Sequence, residues 1–193
     1  MNFQQKIIDE MTKAGSDKVY HQYDIAYNHF LQDRKIKNFL EIGIANASKN
    51  QSSIHAWKNI FPEAKIFGMD VMISKMIDNE DGIETFWGNQ SNVEDLQKFV
   101  DFTKTKFDVI LDDGSHRFSD AIVSFEFLFD YLEDGGIYLI EDIVKNSKRN
   151  TDIQKLFEWQ WYLMKKNNIQ YDIIDCHPEL DDDSVVIGIW RKQ

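Results

Sequence analysis

Short apolar runs, each bounded by turn residues, alternate along this chain with segments whose apolar positions recur every third or fourth residue. Asn38 to Gly43, Lys65 to Asp70, Glu84 to Trp87, Phe107 to Asp112, Gly136 to Glu141, Tyr171 to Asp175 and Ser184 to Trp190 read as strands. Between them Ile54, Trp57, Ile60 and Phe61, then Val93, Leu96 and Val100, then Ile122, Phe125, Leu128 and Phe129 fall at helical spacing. The alternation predicts a doubly wound α/β fold, a mostly parallel seven-stranded sheet with helices on both faces. A helix over Asn150 to Lys166 separates the fifth strand from the sixth. The acidic turn Glu179-Leu180-Asp181-Asp182-Asp183 joins the last two, which predicts a closing hairpin with the last strand antiparallel.

Composition narrows the class. A chain of 193 residues that is 42% hydrophobic and 13% aromatic can bury one substantial core, and residues 1–193 read as a single domain. Pro62 and Pro178 are its two prolines, and no Ser/Gly-rich linker or repeat marks a boundary. The N-terminal residues lack a signal-peptide pattern, and no apolar run approaches the ~20 residues of a membrane span. The expectation is a soluble, cytoplasmic protein. Cys176 stands alone, which excludes an internal disulfide or a CxxC site. A net charge of -11 argues against a nucleic-acid partner, because phosphate binding needs clustered Lys and Arg, and Lys145, Lys148 and Arg149 are too few.

The densest chemistry lies at two strand ends, Asp112-Asp113-Gly114-Ser115-His116 and Glu141-Asp142. Four carboxylates and one imidazole would converge there on one sheet edge. Carboxylates that close raise one another's pKa unless a cation or basic group sits among them. A metal ion resolves the conflict, and oxygen ligands without cysteine favour Mg, Mn or Ca over Zn. Asp and Gly are also ordinary turn residues, so either run alone would serve equally as a solvated strand end. Gly43, ending the first strand, lets the backbone approach a ligand closely. Asp70, ending the second, lies at a distance beyond Gly43 suited to accepting both hydroxyls of a ribose. The amides of Gly88-Asn89-Gln90-Ser91 would read an adenine edge or cap the helix that follows.

Taken in order, Glu41-Ile42-Gly43, Asp70, Gly88-Asn89-Gln90, Asp112-Asp113-Gly114-Ser115-His116 and Gly135-Gly136 with Glu141-Asp142 resemble class I S-adenosylmethionine-dependent methyltransferases. The resemblance is narrower still to the metal-dependent branch containing macrolide-sugar O-methyltransferases and cephalosporin-hydroxylase-like proteins. Gly15-Ser16-Asp17-Lys18 followed by His21, Tyr23, Tyr27 and Phe30 resembles the N-terminal segment of that branch, so residues 1–35 are expected to form a helical segment contributing to the cofactor and acceptor site.

The resemblance implies a Rossmann-like fold and roles for matching positions. Asp113, Glu141 and Asp142 would ligate Mg2+ or Mn2+, and His116 would be the general base. Ser16, Glu41, Gly43, Asp70, Asn89, Gln90 and Asp112 would line the S-adenosylmethionine site. The chain departs from the pattern at Ala45 and Ala47, where most members carry further glycines, and at Asn89, where an acidic residue is common. The implied activity is O-methylation of a hydroxyl on a sugar or similar vicinal-diol acceptor, small molecule or glycan. Alternatives are an iron-dependent oxygenase-like enzyme and a non-catalytic binding or regulatory subunit that kept the fold. The acceptor and any homo-oligomer are left open, with acceptor walls expected in Met72 to Gly82 and Val144 to Thr151. Trp159, Trp161 and Tyr162 read as packing rather than sugar-stacking aromatics.

Overall fold

The strands β1 (Asn38–Ile42), β2 (Lys65–Asp70), β3 (Ile83–Trp87), β4 (Phe107–Asp112), β5 (Leu132–Ile143), β6 (Ile169–Asp175) and β7 (Val185–Arg191) form one sheet in the order β3-β2-β1-β4-β5-β7-β6. β1 to β5 pair in parallel, and β7 enters antiparallel between β5 and β6. The helices are α1 (Phe3–Lys13), α2 (Tyr23–Leu31), α3 (Ser53–Ile60), α4 (Val93–Thr103), α5 (Phe118–Leu128) and α6 (Leu156–Leu163), with a 3-10 turn at Asp17–Val19. This computed structural model describes residues 2–44, 53–72, 82–145, 153–179 and 183–192. Ala45, Ala47, Lys148, Arg149 and most of the two expected acceptor-wall loops lie outside the described residues, as does the middle of the acidic turn.

Alternation along the strands builds two cores. Phe39, Ile66, Val109, Leu111, Ile137 and Leu139 face α1, α2 and α3, where Met11, Tyr27 and Trp57 pack on them. Leu40, Ile42, Phe67, Met69, Ile110, Tyr138 and Ile140 face α4, α5 and α6, against Phe99, Phe125 and Trp159. The seven predicted strands, the parallel sheet and the antiparallel last strand are all present. Trp159 is fully buried, as its helical spacing implied, whereas Trp161 is 66% exposed.

Two elements depart from the sequence reading by more than two residues. β5 begins at Leu132 rather than Gly136, because Leu132 already pairs with Phe107 ahead of a register shift. Among the described residues the helix expected over Asn150 to Lys166 spans only Leu156–Leu163. Gln154 and Lys155 are instead extended beside Val144: Val144 N donates to Gln154 O at 2.8 Å and Leu156 N to Val144 O at 3.0 Å. Their backbone groups are satisfied by that pairing, so helix begins only after it.

The same alternation sorts the acids. Glu41 and Glu141 share the face of α2 and the 3-10 turn, Asp112 points to the α5 face, and Asp113 returns to the first. Strict alternation would send Asp142 after Asp112. Instead Asp142 adopts φ 55° within a register shift between Ile140 and Ile143, and its carboxylate meets Tyr23 of α2.

Candidate active site

The site lies where β1, β4 and β5 end side by side. Backbone pairing closes the corner: Asp113 N donates to Ile42 O at 2.9 Å and Gly43 N to Met69 O at 2.8 Å. Gly43 has φ 86°, and a Cβ there would stand 1.9 Å from the Asp113 carbonyl oxygen. Its freedom therefore serves the close approach of two strand-end loops. At Gly114 a Cβ would fall 1.8 Å from Gln90 Oε1, so any side chain there would displace the Gln90 amide.

Above the strand ends, the ligand atoms of Asp113, His116 and Asp142 all lie within 4.8 Å of one another. His116 Nε2 stands 3.2 Å from Asp113 Oδ1 and 3.1 Å from Asp142 Oδ2. Its backbone is left-handed (φ 55°), and its carbonyl is held by Gln154 N at 3.1 Å. Left-handed conformations at non-glycine residues cost free energy and persist where surrounding structure over-determines them; here two face each other, His116 and Asp142. Hydrogen bonding to Asp113, with the charges of Asp142, Asp113 and Glu141, outweighs burial and pushes the imidazole up to about 9.

Beneath this corner sits Lys18, only 3% exposed. Its Nζ lies 2.5 Å from Asp113 Oδ2, 2.6 Å from Glu141 Oε2 and 3.5 Å from Glu41 Oε1. Burial would lower the Lys18 pKa, but Asp113, Glu141 and Glu41 together hold it well above the ordinary value. Burial likewise works to raise Asp113, yet Lys18 and His116 bring it down to about 2. Glu141 and Asp142 are raised, chiefly by burial. Both oxygens of Glu141 are taken by this chain's own donors, Oε2 by Lys18 and Oε1 by the Tyr27 hydroxyl. The structure thus brings Asp113, His116 and Asp142 together at one point and turns Glu141 towards Lys18. Glu41, pushed up to about 7 mainly by burial, has Lys18, Ser53 and Trp57 beside it but no well-formed hydrogen bond at either carboxylate oxygen.

The cavity in front, roughly 240 Å³, is lined by Asp17, Lys18, His21, Tyr23, Asp113, His116, Glu141, Asp142 and Asp183. Every one carries a polar or ionisable group, so the cavity suits an ion and hydroxyl groups rather than an apolar ligand. His21, Asp142 and Asp183 also bring ligand atoms within 4.8 Å of one another, with Asp142 shared between the two groups.

The remaining expected cofactor residues lie elsewhere. Asp112 is fully buried beneath the loop, where Oδ1 accepts from Gln90 Nε2 at 2.9 Å and Oδ2 accepts from Ser124 Oγ at 2.6 Å and Tyr138 OH at 3.0 Å. Gln90 completes that network by accepting from Ser115 N at 2.7 Å. These two side chains brace the Asp113–His116 loop from below. Asn89 is exposed and accepts from Ser91 N and Ser91 Oγ, while the helix that follows is capped by Asn92 rather than by Asn89 or Gln90. Asp70 accepts from Ile44 N at 2.8 Å and Met72 N at 2.7 Å, one at each oxygen; a carboxylate has about four lone-pair sites, so capacity remains. Ser16 caps the 3-10 turn through Lys18 N.

Sequence reasoning quoted Lys18, His21, Tyr23 and Tyr27 as a motif without giving them roles. The signal available was the acid cluster's need for a basic group. That group lies 95 positions from Asp113, so spacing did not reveal it.

No family model matches the sequence. A relative named 8-demethyl-8-(2-methoxy-alpha-L-rhamnosyl)-tetracenomycin-C 3'-O-methyltransferase, from Streptomyces olivaceus, is 32% identical over 139 residues, covering 68% of this chain and 35% of its own length. Mycinamicin VI 2''-O-methyltransferase of Micromonospora griseorubida is 36% identical over 107 residues, 54% of this chain and 26% of its own. Among solved structures, the MycE methyltransferase from the mycinamycin biosynthetic pathway, in complex with Mg, SAH and mycinamycin VI, matches with a TM-score of 0.78 at 22% identity over 97% of this chain and 55% of that one. The chain spans about a third of the length of the first curated relative and about half of MycE. It has the class I methyltransferase fold, and its homologues are sugar O-methyltransferases. No helix among the described residues is long and apolar enough to cross a membrane.

Proposed function

We propose that this chain is a divalent-ion-dependent O-methyltransferase that uses S-adenosylmethionine and acts on a hydroxyl of a sugar or similar vicinal-diol acceptor. The observation that carries this reading is the convergence of Asp113, His116 and Asp142 in a wholly polar cavity at the carboxyl ends of parallel strands, the place where ligands bind in this architecture. The relatives described above are named as methyltransferases, which favours this reading over an oxygenase.

The residues fit a cation. Asp113 and Glu141 already grip the ammonium of Lys18, and Asp142 completes the acid set across His116. Asp113 and Asp142 would hold a divalent ion, with Glu141 as the third carboxylate, and hard oxygen donors suit Mg2+ or Mn2+. Such an ion supplies positive charge that makes a neighbouring hydroxyl more acidic. His116 Nε2 is assigned as the proton acceptor in its neutral form: it faces the cavity between the two carboxylates and is half-exposed, so a hydroxyl can reach it. Because those carboxylates raise its pKa to about 9, activity should climb with pH towards that value unless a bound cation offsets their charge. Tyr23 fixes Asp142 Oδ1 by a 2.9 Å bond, and Tyr27 fixes Glu141, so both acids are oriented before any ligand arrives.

On the cofactor side, the two buried oxygens of Glu41 without well-formed hydrogen bonds and the remaining capacity of Asp70 are acceptors for an ammonium and for ribose hydroxyls. Holding acceptor and methyl donor in line is worth up to roughly 7 to 11 kcal/mol in well-oriented model reactions. Positioning would supply much of the rate enhancement.

Calorimetric titration of S-adenosylmethionine and S-adenosylhomocysteine, with and without Mg2+, tests the reading. The wild-type chain is expected to bind both, and Asp70→Ala to lose about 1 to 3 kcal/mol of that affinity. Absence of binding by the wild type would instead support a non-catalytic protein that kept the fold.

A further inference from the structure

Lys18 is the buried side chain of the site whose charge runs against the proposed ion. It comes from the N-terminal segment, lies 3% exposed, and reaches three carboxylates carried by three adjacent strands: Glu41 of β1, Asp113 just beyond β4, and Glu141 of β5. A buried cation held this way neutralises acids that would otherwise repel one another. It also occupies Asp113 Oδ2 and Glu141 Oε2, half of each carboxylate. Tyr27 fills the other half of Glu141, and His116 stands at the other half of Asp113.

We propose that Lys18 is the positioning residue of the acid cluster, a resident ammonium that stands in for a divalent ion in the ion-free protein and competes with that ion for Asp113 and Glu141. The inference rests on the ion-dependent reading of the site and adds an assignment to it. Without an ion, Lys18 holds the strand ends of β1, β4 and β5 together. When a divalent ion is bound, Glu141 exchanges its Lys18 partner for the ion, so the ion's affinity is set against the ammonium.

The test is Lys18→Met, which keeps the stem and removes the charge. Two readouts are followed: Mn2+ affinity by electron paramagnetic resonance and thermal midpoint in EDTA or in saturating Mn2+. Removing one partner of a buried charge cluster is strongly destabilising, and for a chain this long the midpoint in EDTA is expected to fall by on the order of 10 °C. At one fixed saturating concentration, Mn2+ should raise the Lys18→Met midpoint further than it raises the wild-type one. Mn2+ affinity should rise at least about tenfold, because the ion no longer faces a competing positive charge. A purely structural lysine would give the opposite, weaker Mn2+ binding in a loosened site, and equal or weaker affinity overturns the proposal.

Should Lys18→Met not fold, the wild type decides: the slowly exchanging ammonium resonance of Lys18 is expected to shift on titration with Mg2+, and a resonance unmoved at saturation overturns the proposal. Mn2+ binding by Lys18→Met but not by the wild type would support the stand-in role and remove the ion from the wild-type mechanism. Binding by neither would overturn both readings. Binding by both with equal affinity would overturn the Lys18 assignment alone.

Discussion

His116→Ala is expected to lower single-turnover methyl transfer to a sugar hydroxyl by at least about a hundredfold at saturating Mg2+ and cofactor, the usual minimum for removing a general base. The imidazole is the one neutralisable nitrogen base between Asp113 and Asp142, at 3.2 and 3.1 Å from their oxygens. The fold should be retained, because alanine costs only modestly more than histidine in the left-handed backbone of position 116. Affinity for cofactor and ion should also be retained if the three carboxylates suffice as protein ligands. A rate within about threefold of wild type would exclude His116 as an important base. Loss of Mn2+ along with the rate would make it a ligand instead.

Asp112→Ala should be strongly destabilising. It would leave Tyr138 OH without its acceptor, leave Gln90 Nε2 and Ser124 Oγ with only their longer contacts to Ser124 Oγ and Ala121 O, and remove the acceptor that Gly114 N approaches at 3.3 Å. Each buried group left unpaired costs about 1 to 3 kcal/mol, so a loss of about 3 kcal/mol or more is expected in urea denaturation. That loss separates the bracing role from the cofactor role first expected of Asp112. A residue lining the cofactor would change cofactor affinity and leave the urea midpoint nearly in place. A residue bracing the loop should do the reverse at temperatures where the variant stays folded.

The sheet was legible because its signals are local. Lys65–Asp70 and Phe107–Asp112 are apolar runs closed by an acid, and both strands have those bounds. The alternation that separates Asp112 from Asp113 was legible for the same reason. Asp142 was not, since its direction depends on a positive φ and a register shift that no neighbouring residue type announces. Nor was the commitment of Gln90: its sequence position fits a cofactor loop equally well, and only the fold brings Asp112 and Ser115 against its amide. The helix at α6 failed in the same sense, because pairing of Lys155 with Val144 is a long-range contact that overrides local preference. Lys18 was hidden by chain distance, although the electrostatics of the acids demanded a cation.

The position of a bound divalent ion decides the mechanism most directly. Crystals soaked in Mn2+ and measured for anomalous scattering are expected to show one strong peak between the carboxylates of Asp113 and Asp142, beside His116 and within reach of Glu141. A peak elsewhere on the chain, or none at saturating Mn2+, would contradict the ion-dependent site.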